Sequence, residues 1–513
     1  MAPEAPAPPA YVHPDYARLS PAELLVESQR KGVMGRKRSL TDVRRIVEQV
    51  GPIVAEAVRR PEVTAALREL AGDERALAAA RAELQRLQEA DLLLESGGDP
   101  NAVSSAGAVG VAQWLAETGR RAGLHVDPEE YRRIVTRARA VRASIAELRR
   151  HPPEWRRPMQ AGGPARSRDE WIAARTAELR ALERRRLAAD ERYDPHKAIV
   201  AQTRYLVRLW RQFGSLDWAL QAYHGGVRGA QRTIALFTGT DRPATIPSFA
   251  EVYFGISPRR RTQAFSYVYG RADDHRYYWW RVLAAAQAIQ LYRDDPARFR
   301  AEWEALAPGF PLDRAWYPEA LREPFADVAA LRAAHRRGIL LAIPDAPRRY
   351  GFAPRAVAPL DPDNERWYRG VRPEALGMMH TLAALYQAEG GRAPLRVTGA
   401  AATVAYARQE AATRGEAEAE GQGSPAEASG TAEEAPPPPL TLHAAGLCVD
   451  VARPAASWDR KVLEYALSYL GDRMRIAWLR DFSADAYHLC PNPAFAAEHR
   501  ASLSGAPASG AGR

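Results

Sequence analysis

Apolar side chains recur at helical spacing through most of the first 300 residues. The longest series consists of four leucines and ends at two glycines: Leu77, Leu84, Leu87, Leu94 and then Gly97-Gly98. Intervals of three, four and seven residues place side chains on one face of a helix, and glycine commonly follows its last turn. Ser39 and Asp42 have the spacing of a capping box, which predicts that the helical region opens there.

From about residue 375, short apolar runs typical of strands alternate with helical patterns. The predicted helices cover 377–387 and 457–470, and the predicted strands cover 395–398, 447–451, 476–478 and 487–489. Because helices and strands are intermixed in this segment, we expect a small α+β domain.

Composition divides the chain further, since 513 residues exceed what one compact core holds. Proline- and alanine-rich ends and a Gly/Glu/Ala-rich internal stretch indicate disorder. The predicted fold is therefore multidomain, with a mainly α domain followed by a small α+β domain. Its segments are a disordered tail over 1–37, a helical domain over 38–300 with a charged helical insertion over 128–190, a linking lobe over 301–375, the α+β domain over 376–500 with a disordered insertion over 415–439, and a tail over 501–513.

The net charge of +10 favours acidic partners. The arginines are interleaved with acidic residues on helical stretches, as in 81–89, which is typical of solvated helix faces. Only the charge supports nucleic-acid binding, because no helix-turn-helix, RNA-recognition or zinc-finger pattern is present. No nucleic-acid partner is therefore expected.

No apolar run approaches the roughly 18 residues of a membrane span, so no transmembrane segment is expected. The N-terminus also lacks the basic start and apolar core of a signal peptide. Either the protein is cytoplasmic or a leader has been trimmed. The two cysteines, Cys448 and Cys490, are too few to form a disulfide framework.

The most informative feature is one carboxylate at a predicted helix end. Glu95 comes at the end of the leucine series, where the helix dipole disfavours a negative charge, and a turn-rich loop follows. This pattern predicts a carboxyl group that faces a groove among mainly apolar neighbours. Such a position suits a general acid.

The segment 94–113 resembles the motif of the lytic transglycosylase family. The matching residues are Glu95, Ser96, Pro100, Ala102, Ser104, Gly107, Ala108, Gly110 and Gln113. Later blocks at 193–214, 219–226 and 277–284 follow in the family's order, so the resemblance covers roughly 75–290. It implies a lysozyme-like fold, shared with goose-type lysozymes, and peptidoglycan as the substrate.

The resemblance implies that Glu95 is the catalytic acid and base. It would protonate the MurNAc–GlcNAc glycosidic oxygen and then deprotonate the sugar's own C6 hydroxyl, which leaves a 1,6-anhydroMurNAc end without any cofactor. Hydrolysing glycosidases normally use two carboxylates instead, and no second one stands at a matching position. The implied substrate-binding residues are Ser104, Gln113, Tyr223 and His224.

Two positions near this motif raise alternatives. His224 stands where the family has asparagine after its tyrosine. Asp91 lies one helical turn before Glu95 on the same face. It would be either a second charge beside Glu95 or a residue that points to solvent, and the base rate of exposure favours solvent. Plain hydrolysis by a lysozyme-type enzyme stays an alternative.

His443, Asp450 and His488 form a second candidate site. Two histidines and one aspartate are a suitable donor set for catalytic zinc with an open position for water. The segment 441–450 and the pair Tyr487-His488 resemble the motif of the zinc D-Ala-D-Ala carboxypeptidase family, over roughly 375–495. The resemblance implies a zinc cofactor and cleavage or binding of stem peptides.

The same resemblance implies a catalytic base three residues before His488, where Asp485 stands, with Asp481 as the alternative. The family's substrate-binding arginine is missing from 399–403, which favours binding over cleavage. Cys448 and Cys490 each lie two residues from a proposed ligand, so they would pair if their strands are neighbours. A disulfide would support export, and Cys490 as a zinc ligand is the alternative.

Together these patterns predict a cell-wall enzyme with a glycan-cleaving domain and a peptide-cleaving or peptide-binding domain. Its expected location is the periplasm or cell envelope if a leader has been trimmed. A non-catalytic peptidoglycan-binding scaffold is the main alternative, favoured by His224 and by the missing arginine.

Overall fold

The structure is a computed structural model that describes residues 38–158, 164–271, 273–306, 317, 321–410, 442–473, 475–481 and 484–504. The predicted tail 1–37, the predicted insertion 415–439 and residues 505–513 lie outside this part of the chain. Most of the described chain is helical, with a small sheet near the C-terminus, which confirms the predicted fold class at this level.

The described chain forms two compact units, residues 38–223 and the residues from 224 on. The boundary between them lies inside the segment predicted as one helical domain. The boundaries of that domain stay a prediction.

The first unit is built from helices, with a π-helical turn, Ile46–Val50, between the first two. They are α1 (Leu40–Arg45), α2 (Gly51–Ala57), α3 (Pro61–Ala71), α4 (Glu74–Ser96), α5 (Ala116–Arg121), α6 (Pro128–Leu148), α7 (Arg168–Ala189), α8 (Pro195–Phe213) and α9 (Leu216–Gly225), the helix in which the boundary between residues 223 and 224 falls.

Local capping explains where α1 and α4 begin and end. The Ser39 hydroxyl accepts the Asp42 N–H at 3.3 Å and the Asp42 carboxylate accepts the Ser39 N–H at 2.8 Å, so the predicted capping box is present. Helix α4 starts at the Asp73 cap and ends where Gly97 adopts left-handed backbone, with φ of 66°. The helix ends where the two glycines predicted it to end.

Helices α6 and α7 pack as a helical hairpin in the charged segment 128–190, which the sequence predicted to be helical. An apolar seam joins them, formed by Ile134, Ala138, Val141, Ile145, Leu182 and Ala189. A short ribbon of β1 (Arg156–Pro158) and β2 (Ala165–Ser167) lies in the connection, and the sequence did not predict it. Its residues are almost all exposed, so no apolar alternation marked these strands.

The second unit combines helices with the main sheet. Its helices are α10 (Val227–Thr238), α11 (Phe249–Gly255), α12 (Thr262–Val268), α13 (Asp273–Asp294), α14 (Pro296–Leu306), α15 (Val328–Arg336), α16 (Pro347–Tyr350), α17 (Glu365–Tyr368), α18 (Pro373–Ala388), α19 (Ser457–Gly471) and α20 (Ala496–Ala501), with a further helical segment over 404–410. Among the helices that the structure describes, none has both the length and the apolar composition needed to cross a membrane.

The main sheet has five strands in the order β4-β6-β7-β9-β8, and a separate pair is formed by β3 (Leu341–Ala342) and β5 (Gly370–Val371). The five strands are β4 (Phe352–Pro354), β6 (Leu395–Gly399), β7 (Val449–Ala452), β8 (Ile476–Asp481) and β9 (Ala486–Pro491). Strand β4 comes from the segment predicted as a linking lobe and pairs with β6 in parallel, whereas the other pairings are antiparallel.

The strand register brings two of the predicted metal ligands together. Asp450 on β7 pairs directly with His488 on β9. Directly paired residues point to the same face of a sheet, so these two side chains are neighbours. Tyr487, the residue before His488, points to the opposite face.

A buried ion pair holds α13, α19 and β9 together on that opposite face. The Arg276 guanidinium donates to one Glu464 carboxylate oxygen at 2.9 Å, and the Tyr487 hydroxyl donates to the other at 2.6 Å. Arg276 also lies over the Tyr269 ring, 4.4 Å from its centroid. These contacts fix β9, and therefore the strand that carries His488, against the helices.

Candidate functional site

Glu95 lies in the last turn of α4, where the chain reverses. Its side chain is half-buried. The Gly97 N–H caps the helix by donating to the Leu93 carbonyl at 3.0 Å, and Gly98 also has positive φ, 75°. Two consecutive left-handed residues turn the chain sharply, so the loop that follows begins directly beside the Glu95 turn.

The loop over 97–115 is held by its own side chains. Ser96 donates to the Val111 carbonyl at 2.7 Å, and Ser104 accepts the Ala108 N–H at 3.0 Å. The Gln113 amide donates to the Gly110 carbonyl at 2.9 Å. Ser104 and Gln113 thus use polar atoms to shape the loop, and their contact with a substrate stays a prediction.

Gly110 allows this loop to approach the backbone of Arg192. A Cβ at Gly110 would lie 1.9 Å from the Arg192 carbonyl oxygen, and φ is +80°.

We expect Gly110→Ala to lower the free energy of unfolding by several kcal/mol, more than the ~1–2 kcal/mol of left-handed strain alone. Gly107→Ala is the matched control, because φ is +79° there but nothing lies within 4 Å. Urea unfolding compares them, and equal losses would contradict the close approach.

Tyr223 ends the first unit and is packed beside this loop. Its hydroxyl donates to the Ala112 carbonyl at 2.5 Å, and the Trp114 ring meets its ring edge-on at 5.4 Å between centroids. Burial raises the pKa of the Tyr223 hydroxyl, and the negative charges of Asp91 and Glu95 raise it further. The hydroxyl therefore stays protonated, within electrostatic reach of both carboxylates.

The prediction that Asp91 points to solvent is wrong. Its side chain is fully buried and accepts the Gln202 amide at 2.7 Å. Gln202 in turn accepts the Gln88 amide at 2.9 Å. Burial is tolerated because α8 supplies polar partners. The sequence does carry a signal for this network, since Gln88, Asp91 and Glu95 recur at helical spacing on one face of α4.

His224 is the first residue of the second unit. Its ring stacks on Tyr278 with 3.8 Å between centroids and 7° between planes, and His275 lies 5.0 Å away. A role in substrate binding stays a prediction.

The three predicted metal ligands do converge. The ligating atoms of His443, Asp450 and His488 all lie within 4.8 Å of one another. His443 Nε2 lies 3.1 Å from the Asp450 carboxylate and 3.1 Å from His488 Nδ1, and that carboxylate lies 2.8 Å from His488 Nδ1. The cluster is thus a candidate metal-binding site.

Contacts around the cluster orient its members. His443 Nδ1 lies 3.0 Å from the Ala400 carbonyl, which directs the other ring nitrogen toward the cluster. Gly399 leaves room for the Asp450 carboxylate, because a Cβ there would lie 2.4 Å from it. Burial by itself raises the pKa of the Asp450 carboxyl, but the neighbouring His443 and His488 rings outweigh it and hold the pKa below its usual range. The carboxylate is therefore available as a ligand.

The two candidate bases occupy different positions. Asp485 precedes β9 in left-handed backbone, with φ of 44°, and its side chain is 66% exposed and lies 3.6 Å from Arg453. It is not among the groups that converge on the cluster. Asp481 is buried at the end of β8, and because Leu479 pairs with His488, it lies on the same sheet face as that ligand. A role for either carboxylate as a base stays a prediction.

Cys448 and Cys490 form a disulfide, with their Cα atoms 4.4 Å apart. The expected pairing of the thiols is confirmed, since β7 and β9 are neighbours. The alternative that Cys490 is a metal ligand is wrong for the oxidised protein, because a disulfide sulfur has no thiolate to offer.

The disulfide spans 42 residues of sequence. We expect the double variant Cys448→Ser/Cys490→Ser to lose about 4 kcal/mol of unfolding free energy, because the unfolded chain gains the freedom that the cross-link removes. Urea unfolding in non-reducing buffer measures this, and adding dithiothreitol to the wild type serves as the control. Equal stability of variant and wild type would contradict a formed disulfide.

No family model, curated protein or solved structure matches the chain. The family resemblances of the two motifs therefore stay expectations from sequence. Geometry supports two separate candidate sites, the Glu95 loop in the first unit and the His443 cluster in the second.

Proposed function

We propose that this protein is a lytic transglycosylase, a lyase that cleaves peptidoglycan glycan, with Glu95 as acid and base. The observation that carries the proposal is one half-buried carboxylate at a helix end, beside a glycine-rich loop held by its own hydrogen bonds and a half-buried tyrosine whose hydroxyl stays protonated. The ordered motif over 94–113 supports the same activity.

The positions of the carboxylates favour intramolecular transfer over hydrolysis. A hydrolase needs a second carboxylate that reaches a water or the sugar. Asp91, one turn from Glu95, is fully buried and bonded to Gln202, so it is not open to either. Glu95 would donate its proton to the leaving glycosidic oxygen. The C6 hydroxyl oxygen would then bond to the anomeric carbon, and the Glu95 carboxylate would take up the proton of that hydroxyl.

Digestion of purified peptidoglycan followed by mass spectrometry tests this function. We expect soluble 1,6-anhydro-muropeptides. Reducing ends would identify a lysozyme-type hydrolase instead. No turnover of any wall preparation would support the non-catalytic scaffold. That alternative is favoured by His224, which stands in place of the family's asparagine, and by the missing arginine in 399–403.

We also propose that the His443 cluster holds zinc. Two imidazole nitrogens and one carboxylate suit zinc, and a tetrahedral ion separates its ligand atoms by about 3.3 Å, close to the spacing in the cluster. Bound zinc would supply an activated water for cleavage of stem peptides. His443, Asp450 and His488 would hold the ion, and Asp485 or Asp481 would accept a proton.

We propose the periplasm or cell envelope as the location and peptidoglycan as the partner. Disulfides persist in oxidising compartments, so the bond between Cys448 and Cys490 supports an extracytoplasmic protein. Labelling of free thiols in protein isolated under non-reducing conditions would test whether this disulfide is formed, on which the proposed location rests.

A further inference from the structure

A cavity of about 620 Å³ opens in the second unit. Its wall includes residues of α11, the C-terminal end of α18 and the last turn of α19. Small-molecule sites typically have about 300–1,000 Å³. None of its lining residues belongs to the Glu95 loop or the His443 cluster.

Aromatic rings form much of the wall. Tyr253 meets Phe254 edge-on at 4.8 Å between centroids, and Tyr269 meets Tyr465 at 6.2 Å. Aromatic faces carry partial negative charge and attract cations. This wall suits a ligand with an organic cation and apolar surface.

Two carboxylates add negative charge to the same cavity. Asp472 caps the C-terminal end of α19, is 5% exposed and accepts the Tyr253 hydroxyl at 3.3 Å. The helix dipole places further negative potential there. Together these features favour a cation at this point of the wall.

Glu389, at the end of α18, supplies the most specific observation. Its Oε2 atom is buried and has no hydrogen-bond partner within the described part of the chain. A buried acceptor without a donor is unfavourable. Its negative charge also contributes to raising the pKa of the Tyr465 hydroxyl, second to burial, so the carboxylate lies near the aromatic wall. A ligand ammonium group would satisfy it.

Arginines supply positive charge on the same cavity wall. Arg260 is held in place by donating to the Gly255 carbonyl at 2.8 Å and to the Phe254 carbonyl at 3.0 Å. Arg473 lies over the Tyr469 ring, 3.5 Å from its centroid. A guanidinium has five N–H donors, so Arg260 keeps others for an anion.

We propose that this cavity binds a small zwitterion, an amino acid or short peptide with free ammonium and carboxylate groups. The ammonium would lie against Asp472 and Glu389 among the aromatic rings, and the carboxylate would meet Arg260. This binding site is independent of glycan cleavage and of metal binding.

Isothermal titration calorimetry of the full chain with L-alanyl-L-phenylalanine tests the site. We expect saturable binding that weakens about tenfold or more when the peptide is N-acetylated, and again when its carboxyl end is amidated, because each change removes one charge-assisted hydrogen bond. Glu389→Gln should weaken the free peptide similarly and leave the N-acetylated peptide unchanged. Glu374→Gln, at the other end of α18, is the matched control and should have no effect.

Two results would overturn the proposal. One is the absence of binding by wild-type protein at millimolar peptide. The other is equal affinity for the free, acetylated and amidated peptides, which would indicate an apolar pocket without charge recognition. Both results are independent of how the protein folds after substitution, since only the peptide changes.

Discussion

Glu95→Gln is expected to slow the release of anhydro-muropeptides from peptidoglycan by roughly 10²–10⁴-fold. Glutamine keeps the shape of the side chain but has no proton to donate to the glycosidic oxygen and cannot take one from the C6 hydroxyl. Glu95 lies at the half-buried end of α4 and not in its core, so the fold should be retained. Mass-spectrometric quantification of products over time measures the rate.

The matched control is Glu83→Gln on the same helix. Glu83 is 43% exposed and pairs with Arg86 on the helix surface, so its loss should leave the rate unchanged. If Glu95→Gln keeps the wild-type rate, Glu95 is not the catalytic acid. Thermal unfolding of both variants separates a catalytic effect from loss of structure.

His443→Ala is expected to remove zinc binding almost completely. Substituting a residue that only supports a ligand typically weakens metal binding 10–100-fold, so losing a ligand should exceed about 100-fold. His443 is central to the cluster, because its Nε2 atom contacts both other members. Titration with zinc against a competing chelator gives the affinity, and elemental analysis gives the stoichiometry.

His335→Ala serves as the control for loss of a histidine. His335 contacts the Trp367 carbonyl at 3.0 Å and belongs to no metal-binding cluster that the described chain forms. Asp450→Asn provides a second test with a smaller change in volume and should also lose zinc. If wild-type protein takes up no zinc, or if both cluster variants retain it, the metal proposal is wrong.

Local patterns predicted the secondary structure well where one helix or strand contains its own signal. The Ser39 capping box and the Gly97 helix end are each formed by residues close in sequence, so spacing alone revealed them. The strands β8 and β9 also appeared at the expected places. The three-residue strand β4 did not, because its identity depends on pairing with β6, about forty residues later.

For the candidate sites too, some features followed from the sequence and others only from the tertiary structure. Helical spacing identified Glu95 as a helix-end carboxylate, whereas donor chemistry together with the motif resemblance proposed His443, Asp450 and His488 as one donor set. Only the tertiary structure buried Asp91, because its partner Gln202 is 111 residues away on another helix. It also decided the disulfide, which requires that β7 and β9 are neighbours. Residue type and spacing determine what chemistry a side chain offers, whereas burial and pairing depend on contacts between distant segments that no local pattern records.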